Sequence, residues 1–443
     1  MRRLLFIFSF LSLLVVDGKA QEVETLTLED CLRIGIDNNL SLEGKRKEIQ
    51  KSKYGVSENR SKLLPQINAI AGYNNNFDPP VSVTDGSSYG VPYNITKTLQ
   101  HTANAGLEMQ MPLFNQTLYT SMSIAKVMEE ISRLSYGKAR EDIIMQISKM
   151  YYLGQVTAEQ IVLIKANITR LEELRDITQA FFDNGMSMEV DLKRVNINLE
   201  NLKVQYDNAQ AMMKQQLNML KYIMDYPAEK EFVLTPVNTD SITTVALTGL
   251  SENIYELQLS QSQVQLAEKQ KKIISNGYIP SLSLTGSWRY AAYTDKGYHW
   301  FHSGPSNHWF RSYGLGLTLR IPIFDGLDKT YKIKKAMIDI ENSKLAWENA
   351  RKSLQTQYLN AVNDLMNNQR NFKKQKDNYL LAEDVYTVTS DRYREGIASM
   401  TEVLQDEMQM SEAQNNYISA HYNYRVTNLM LLKLTGQIES LVK

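Results

Sequence analysis

Apolar and polar side chains alternate, residue by residue, in four short segments of the chain. Segment 102–113 has apolar residues at its odd positions and mostly polar residues or Gly at its even positions. The same pattern recurs in 281–290, in 312–321 and, more weakly, in 66–74. Alternation with period two predicts β-strands that have one apolar and one polar face. Six residues represent the predicted apolar face: Leu107, Met109, Leu284, Trp288, Leu315 and Leu317.

Two other segments are long and contain no proline. They run from Asn115 to Asp183 and from Asp325 to Glu395. Each, if helical throughout, is about 100 Å long at 1.5 Å per residue. A second helix with a heptad seam follows each of them, which is typical of helices that pack along other helices. The seams are Leu192, Val195, Leu199, Leu202, Tyr206, Ala209, Met213, Gln216 and Leu220, then Val403, Asp406, Met410, Ala413, Tyr417, Ala420, Tyr424, Thr427 and Leu431.

The sequence contains an internal repeat. Three landmarks recur in the same order and at nearly the same separation: Leu64-Pro65-Gln66-Ile67 as Ile279-Pro280-Ser281-Leu282, Met111-Pro112-Leu113-Phe114-Asn115 as Ile321-Pro322-Ile323-Phe324-Asp325, and Asn184-Gly185-Met186 as Glu395-Gly396-Ile397. Such similar offsets predict a tandem duplication, with a first repeat at 21–226, a linker at 227–251 and a second repeat at 252–443.

Each repeat is expected to contain an opening helix, two strands and two long helices. The opening helices are predicted at 27–62 and 252–277. The strands are predicted at ~66–77, ~101–113, ~281–293 and ~311–323. The long helices are predicted at ~115–182, ~188–226, ~326–394 and ~398–435.

Residues 1–20 have the features of a secretory signal peptide. Arg2 and Arg3 are followed by an apolar run from Leu4 to Val16, and Gly18-Lys19-Ala20 is the expected cleavage site before Gln21. The run is shorter than the ~20 apolar residues that a membrane-spanning helix needs. We therefore predict that residues 1–20 are removed and that the chain is exported.

Charge and cysteine content narrow the class of protein. Without residues 1–20 the chain has 46 basic and 48 acidic side chains, and it lacks the basic stripe that nucleic-acid binding requires. Cys31 is the single cysteine, so no intrachain disulfide can form. Because Cys31 lies among Leu28, Leu32 and Ile36, which recur at helical spacing, we expect it to be a buried helix residue.

The strands suit a membrane. Each is about ten residues long, the length of a tilted strand that crosses hydrocarbon. A soluble sheet with one buried face gives the same alternation, but Glu108, Arg289 and Arg320 on the polar face favour a water-filled lumen. Four strands cannot close a barrel, so the strands must be shared between chains. Two chains would give a barrel filled by its own side chains, and three chains would give twelve strands.

These residues resemble the TolC-like outer-membrane efflux family. The resemblance begins at Leu26-Thr27-Leu28-Glu29-Asp30-Cys31-Leu32, and its strongest marks are the doubled Pro-Leu/Ile-Phe and the doubled Gly turn. It implies a mainly α protein with β-structure: a homotrimer with a long coiled-coil α-helical barrel in the periplasm and a transmembrane β-barrel in outer-membrane lipid. It also implies a mixed belt that includes the linker and the C-terminal tail. The implied partners are a periplasmic adaptor protein and an inner-membrane transporter.

The resemblance places the adaptor-docking tip at the turns between the long helices. These turns are Asn184, Gly185 and Met186, and Glu395, Gly396 and Ile397. Gly at a helix end is also explained by the turn alone. That explanation does not account for Met186 and Ile397, because apolar residues on an exposed turn indicate a contact surface.

The resemblance also implies a periplasmic gate near the tip, formed here by Asp191, Tyr393 and Glu402. Rings of carboxylates at a constriction attract cations. The chain departs from the family pattern at two gate positions, which are Gln405 and Ala398 here. The closing contacts must therefore differ. An alternative is that Glu402 only stabilises the start of its helix.

No motif in the sequence indicates catalysis. The chain has no Gly-rich phosphate loop, nucleophile elbow or Cys/His cluster, so we predict neither an enzyme nor a cofactor or metal site. His299, His302 and His308 lie in an aromatic-rich loop, which favours an aromatic lid or an interfacial anchor over a metal site. The leading hypothesis is a passive exit duct of a tripartite efflux or type I secretion system. The alternative is a periplasmic coiled-coil adaptor or scaffold without a barrel, which would not explain the strands.

Overall fold

The computed structural model describes residues 24–97, 99–236, 249–294 and 309–442. These residues are mainly helical. The α-helices are α1 (Leu28–Asn38), α2 (Leu40–Ser61), α3 (Gln116–Asp183), α4 (Glu189–Met224), α5 (Tyr255–Asn276), α6 (Asp328–Arg394) and α7 (Met400–Leu434). The β-strands are β1 (Glu24–Leu26), β2 (Gln66–Asn75), β3 (Val81–Asp85), β4 (Tyr93–Lys97), β5 (His101–Phe114), β6 (Phe232–Leu234), β7 (Ser281–Thr294) and β8 (Trp309–Arg320). Short 3₁₀ helices lie at Ser87–Tyr89 and Ile438–Val442.

The order of elements repeats along the chain. Two long strands, β2 and β5, precede the helices α3 and α4, and the strands β7 and β8 precede α6 and α7 in the same way. The internal duplication and the mainly α fold are thus confirmed. The predicted signal peptide at 1–20, part of the linker, and the loop with His299, His302 and His308 lie outside the described residues.

Two compact units make up the described chain, and they do not follow the repeat boundaries. The first comprises the described parts of Met1–Leu40, Glu141–Gly249 and Leu359–Lys443, and the second comprises those of Ser41–Arg140 and Leu250–Tyr358. Each unit takes segments from both repeats. The reason is that the divisions at 140 and 358 fall inside the long helices α3 and α6, so one helix serves both units.

The second unit contains a four-stranded antiparallel sheet in the order β2-β5-β7-β8. Leu107 of β5 lies opposite Trp288 of β7, and Leu284 of β7 lies opposite Leu317 of β8. Directly opposed residues in neighbouring strands share a face. The alternating apolar positions of all four strands therefore lie on one side of one sheet.

Some elements differ from the sequence prediction. The helix expected at 27–62 is two helices, because the backbone leaves the helical conformation at Asn39, whose Nδ2 donates to the Ile223 carbonyl at 2.8 Å. The hairpin β3–β4 lies in the connection between β2 and β5, where no strand was predicted. The linker contains β6, which pairs in parallel with β1. Strands β1 and β6 are too short to show the alternation of apolar and polar residues from which strands are predicted.

The first unit is held together by its helices. Every residue of the two predicted heptad seams is buried or half-buried, including the polar Gln216 and Asp406. The seams of α4 and α7 contribute to one core with residues of α3 and α6, among them Leu171, Leu174 and Tyr386. The predicted heptad packing of α4 and α7 is confirmed.

Helix α1 begins at a capping box. Asp30 N donates to Thr27 Oγ1 at 3.2 Å, and Thr27 N donates to Asp30 Oδ2 at 3.2 Å. Cys31 is fully buried, as predicted, and burial raises the pKa of its thiol to about 12. A thiol with such a pKa is unreactive near neutral pH, so Cys31 is a packing residue.

Candidate functional site

The sheet exposes its apolar face. The six residues predicted there lie on it together: Leu107, Met109, Leu284, Trp288, Leu315 and Leu317. Leu315 is 80% exposed and Leu317 67% exposed. Apolar side chains that form a continuous exposed patch usually contact a partner or lipid.

The opposite face of the sheet is polar. Arg289 of β7 donates a charge-assisted hydrogen bond to the carboxylate of Glu108 on β5. Around this ion pair the face forms a shallow concavity that includes Asn68, Gln110 and Ser287. Two of the three charged residues predicted to face a lumen, Glu108 and Arg289, therefore lie together and neutralise each other.

Both edges of the sheet are open within the described chain. Strand β2 pairs only with β5, and β8 pairs only with β7. All residues of β8 are exposed. A long edge strand offers a row of free N–H and C=O groups for pairing with another chain.

The two turns between long helices have the same backbone geometry. Gly185 has φ +73° and Gly396 has φ +75°. Met186 N donates to the Phe181 carbonyl at 2.8 Å, and Ile397 N donates in the same way to the Arg392 carbonyl at 2.8 Å. This is the Schellman pattern, in which a left-handed Gly ends the helix.

Apolar side chains project from both turns. Met186 is 67% exposed and Ile397 62% exposed. Met188 and Val190, which the sequence interpretation missed, are exposed beside the first turn. The alternation of apolar and polar residues at 186–190 could have drawn attention to them. The first turn thus carries the larger exposed apolar surface.

The three residues of the predicted gate have different partners. Tyr393 is buried, and its hydroxyl donates to Thr178 Oγ1 of α3 at 3.3 Å. Arg194 Nη1 lies 3.2 Å from Asp191 Oδ1 and 3.4 Å from Thr401 Oγ1, which links α4 to α7. These contacts join helices of the first unit near the turns.

Glu402 caps helix α7. Its Oε2 accepts from the Ser399 backbone N at 2.9 Å, and its own N donates to Ser399 Oγ at 3.3 Å. This capping box satisfies two free donors at the helix start. Glu402 therefore has a structural role as well as an exposed carboxylate.

A polar network lies inside the helices of the first unit. Arg170 of α3 donates to Glu383 Oε1 of α6 at 3.1 Å and to Asn167 Oδ1 at 2.6 Å. Asn167 Nδ2 in turn donates to Gln414 Oε1 of α7 at 2.7 Å. Glu407 of α7 is buried nearby, and burial raises its pKa while Arg170 opposes the rise. The network connects three helices through groups that sequence reasoning did not single out.

A second polar group lies further along α7. Tyr417 donates from its hydroxyl to Glu159 Oε1 at 2.9 Å, and burial raises the pKa of Tyr417. His421 is fully buried, and its Nε2 accepts from Arg425 Nε at 3.0 Å. Because Glu407, Gln414 and His421 recur at heptad spacing, α7 has a second buried row beside its predicted seam.

None of the helices in the described part of the chain combines the length and the apolar character needed to span a membrane. Within the same residues, no group of three or more His, Cys, Asp or Glu side chains could hold a metal ion.

Duplicated long helices together with a sheet that exposes an apolar face define an outer-membrane channel protein. The chain belongs to the outer membrane efflux protein family, whose model matches residues 34–224 and 240–437. It is 21% identical over 396 residues to the outer membrane protein TolC of Vibrio cholerae, a match that covers 86% of this chain and 84% of the relative.

One further relative and one solved structure agree with this family assignment. The toluene efflux pump outer membrane protein TtgC of Pseudomonas putida is 23% identical over 382 residues, covering 81% of this chain and 75% of the relative. The open state of the MtrE outer membrane channel of Neisseria gonorrhoeae has the same fold, with a TM-score of 0.74 and 18% identity over 92% of this chain and 88% of that one.

Family membership confirms two predictions from the sequence and bears on a third. The protein is an outer-membrane channel component of tripartite efflux systems. It is located in the outer membrane and extends into the periplasm. Its relatives are channel proteins rather than enzymes. The alternative of an adaptor or scaffold without membrane strands is set aside by the family.

Proposed function

We propose that three copies of the chain form a passive exit duct, in which their four-stranded sheets close into one barrel of twelve strands. The apolar face contacts outer-membrane lipid and the polar face lines a water-filled lumen. One observation carries the proposal: a single sheet exposes a continuous apolar face, and within the described residues both of its edges are open.

The open edges argue for closure between copies. In lipid, each unpaired backbone group costs several kcal/mol, so a spanning sheet must have no edge. Pairing β8 of one copy with β2 of the next removes both edges and repeats around a ring. A ring of two copies would have eight strands and be filled by its own side chains. A ring of three leaves room for an aqueous lumen.

The helices support contact between copies. Helix α4 has a second apolar stripe, away from its buried seam, that recurs about every second helical turn. The stripe consists of the exposed residues Val190, Ile197, Val204, Met212 and Met219. A stripe at close to heptad spacing suits packing against another helix. In the proposed trimer, a helix of the neighbouring copy covers it.

The turns and the gate complete the proposed duct. Asn184, Gly185, Met186, Glu395, Gly396 and Ile397 form the tip that docks a periplasmic adaptor. Asp191, Tyr393 and Glu402 lie at the gate, with Tyr393 linking α6 to α3 and Asp191 linking α4 to α7 through Arg194. An inner-membrane transporter supplies the energy, and the duct wall itself is permissive.

The lipid-facing assignment can be tested with one matched pair of variants. Leu317→Arg places a charge on the apolar face, and the adjacent Thr318→Arg places it on the polar face. A lipid-facing Arg costs about 2–4 kcal/mol near the membrane centre. We expect Leu317→Arg to lose membrane-inserted trimers and Thr318→Arg to keep them, measured by membrane fractionation and gel mobility without heating.

The outcome is decisive in either direction. Equal assembly of the two variants would mean that the apolar face does not meet lipid, and the duct would have to be abandoned. A purified chain that is monomeric without detergent would have the same consequence.

A further inference from the structure

The polar face of the sheet carries few charges. Within the described strands β2, β5, β7 and β8, the acidic and basic residues on this face are Glu108, Arg289 and Arg320. Arg311, the other charged residue of these strands, lies on the apolar face because it pairs with Tyr290. Since Glu108 and Arg289 form an ion pair, their charges cancel. The net charge of the polar face is therefore the charge of Arg320.

Arg320 is exposed and surrounded by neutral groups. It lies opposite Ser281 at the last position of β8, where the strand leads toward α6. The shallow concavity around it is lined by neutral residues, among them Gln110, Ser283 and Thr318. The nearest acidic residue along the chain after it, Asp325, pairs with Lys329 at 2.9 Å. No ion pair of Arg320 is found within the described residues.

Closure with a neighbouring copy would not supply an acid from the adjoining strand. In the proposed barrel, β8 pairs with β2 of the next copy, and the sequence of β2 from Gln66 to Asn75 contains no charged residue. Each Arg320 would then keep its charge. Symmetry repeats it three times around the lumen.

We propose that Arg320 forms a ring of three positive charges at the helix-side end of the strand lumen and makes this section of the duct prefer anions to cations. The inference rests on the proposed trimeric barrel. Rings of Arg or Lys give pores a preference for anions. Low-dielectric walls concentrate the field of such a ring in the lumen.

The preference has a consequence for cargo. Molecules with a net negative charge should pass this section faster than cations of the same size. The effect is electrostatic, so it should weaken as salt screens the ring, from a screening length of about 10 Å at 0.1 M salt to about 3 Å at 1 M.

The test uses purified full-length trimers in planar lipid bilayers under a KCl gradient. The reversal potential gives the chloride-to-potassium permeability ratio. We expect Arg320→Gln to lower this ratio by about twofold or more at 0.1 M salt, with a smaller change at 1 M. Arg320→Glu should lower it further.

The matched control is Arg311→Gln, the same substitution in the same strand on the opposite face. It should leave the permeability ratio unchanged. If Arg320→Gln forms channels with the wild-type ratio, the arginine ring is rejected while the duct stands. If the wild-type protein forms no trimeric channel at all, the proposed function itself fails. If Arg320→Gln and Arg311→Gln change the permeability ratio equally, the inference is also contradicted, because the effect would not depend on which face of the sheet carries the charge.

Discussion

At the scale of single residues, Glu407 is a buried acid beside the polar network of α3, α6 and α7. It is 4% exposed, and its Oε1 has no hydrogen-bond partner within the described residues. Burial raises its pKa, and Arg170 only partly opposes the rise. The folded chain therefore holds the proton more tightly than the unfolded chain. The contribution of Glu407 to stability is therefore fully present below its unfolded pKa and is lost as pH rises through the raised folded pKa.

Removing this carboxylate should stabilise the helices of the first unit. Glu407→Gln is expected to raise the unfolding temperature at pH 8, by an amount equivalent to about 1 kcal/mol, and to flatten its pH dependence. Glu383→Gln is the control, because it weakens the bond from Arg170 and should destabilise by about 1–3 kcal/mol. Thermal unfolding followed by circular dichroism at pH 5 and pH 8 checks both. Destabilisation by Glu407→Gln would contradict this account.

The seam residues could be predicted because apolar side chains repeat visibly. Val195, Leu199 and Val403 follow a heptad pattern, and all are buried. Glu407 and Gln414 occupy a second buried row of α7. Burial was predicted from the spacing of apolar residues, so the burial of these polar residues could not be predicted in that way. Their burial depends on helices α3 and α6, which are distant in sequence. The polar network could therefore be identified only from the structure.

At the scale of single elements, the start of α7 combines a cap with an exposed carboxylate. Glu402→Gln removes the charge and keeps an amide oxygen that can still accept from the Ser399 backbone, so the helix start should survive. If Glu402 forms the gate ring, block of single-channel current by multivalent cations should weaken several-fold. Glu412→Gln, an exposed carboxylate on the same helix, should leave block unchanged. Equal block in wild type and Glu402→Gln would remove Glu402 from the gate.

The turn at Gly396 allows backbone and surface effects to be separated. Gly396→Lys adds a bulky charge beside the exposed Ile397, whereas Gly396→Asn is tolerated at positive φ. We expect Gly396→Lys to lose export while trimers persist, and Gly396→Asn to keep both. Export of the cargo from intact cells and trimer mobility on gels measure the two properties. Normal export by Gly396→Lys would argue against docking at this turn.

The long elements were predictable, and the short ones were not. Proline-free segments predicted α3 and α6, which the structure places at Gln116–Asp183 and Asp328–Arg394. Strands β5 and β7 followed from clear alternation. The break at Asn39 depends on a bond to the distant Ile223 carbonyl, and β1 depends on its partner β6. These short features depend on contacts between segments that are distant in sequence, so they could not be predicted from either segment alone.

At the scale of the whole molecule, the duplication was visible in the sequence, but the compact units were not. Recurring landmarks predict which elements correspond. They do not predict that each unit combines segments of both repeats. The apolar face of each strand could likewise be predicted from its own sequence. The pairing of the strands could not, and it is this register that brings Leu107, Trp288 and Tyr313 into one row across the sheet.

Helix α3 begins just after β5 ends at Phe114, and it continues without interruption to Asp183, beside the Gly185 turn. A hydrogen-bonded rod of 68 residues resists twisting far better than a chain of helices joined by loops. Any rotation imposed at the turn must therefore either travel along the rod toward the strand or be absorbed by slippage of side chains along its seams. One continuous covalent element thus joins the end of β5 to the Gly185 turn.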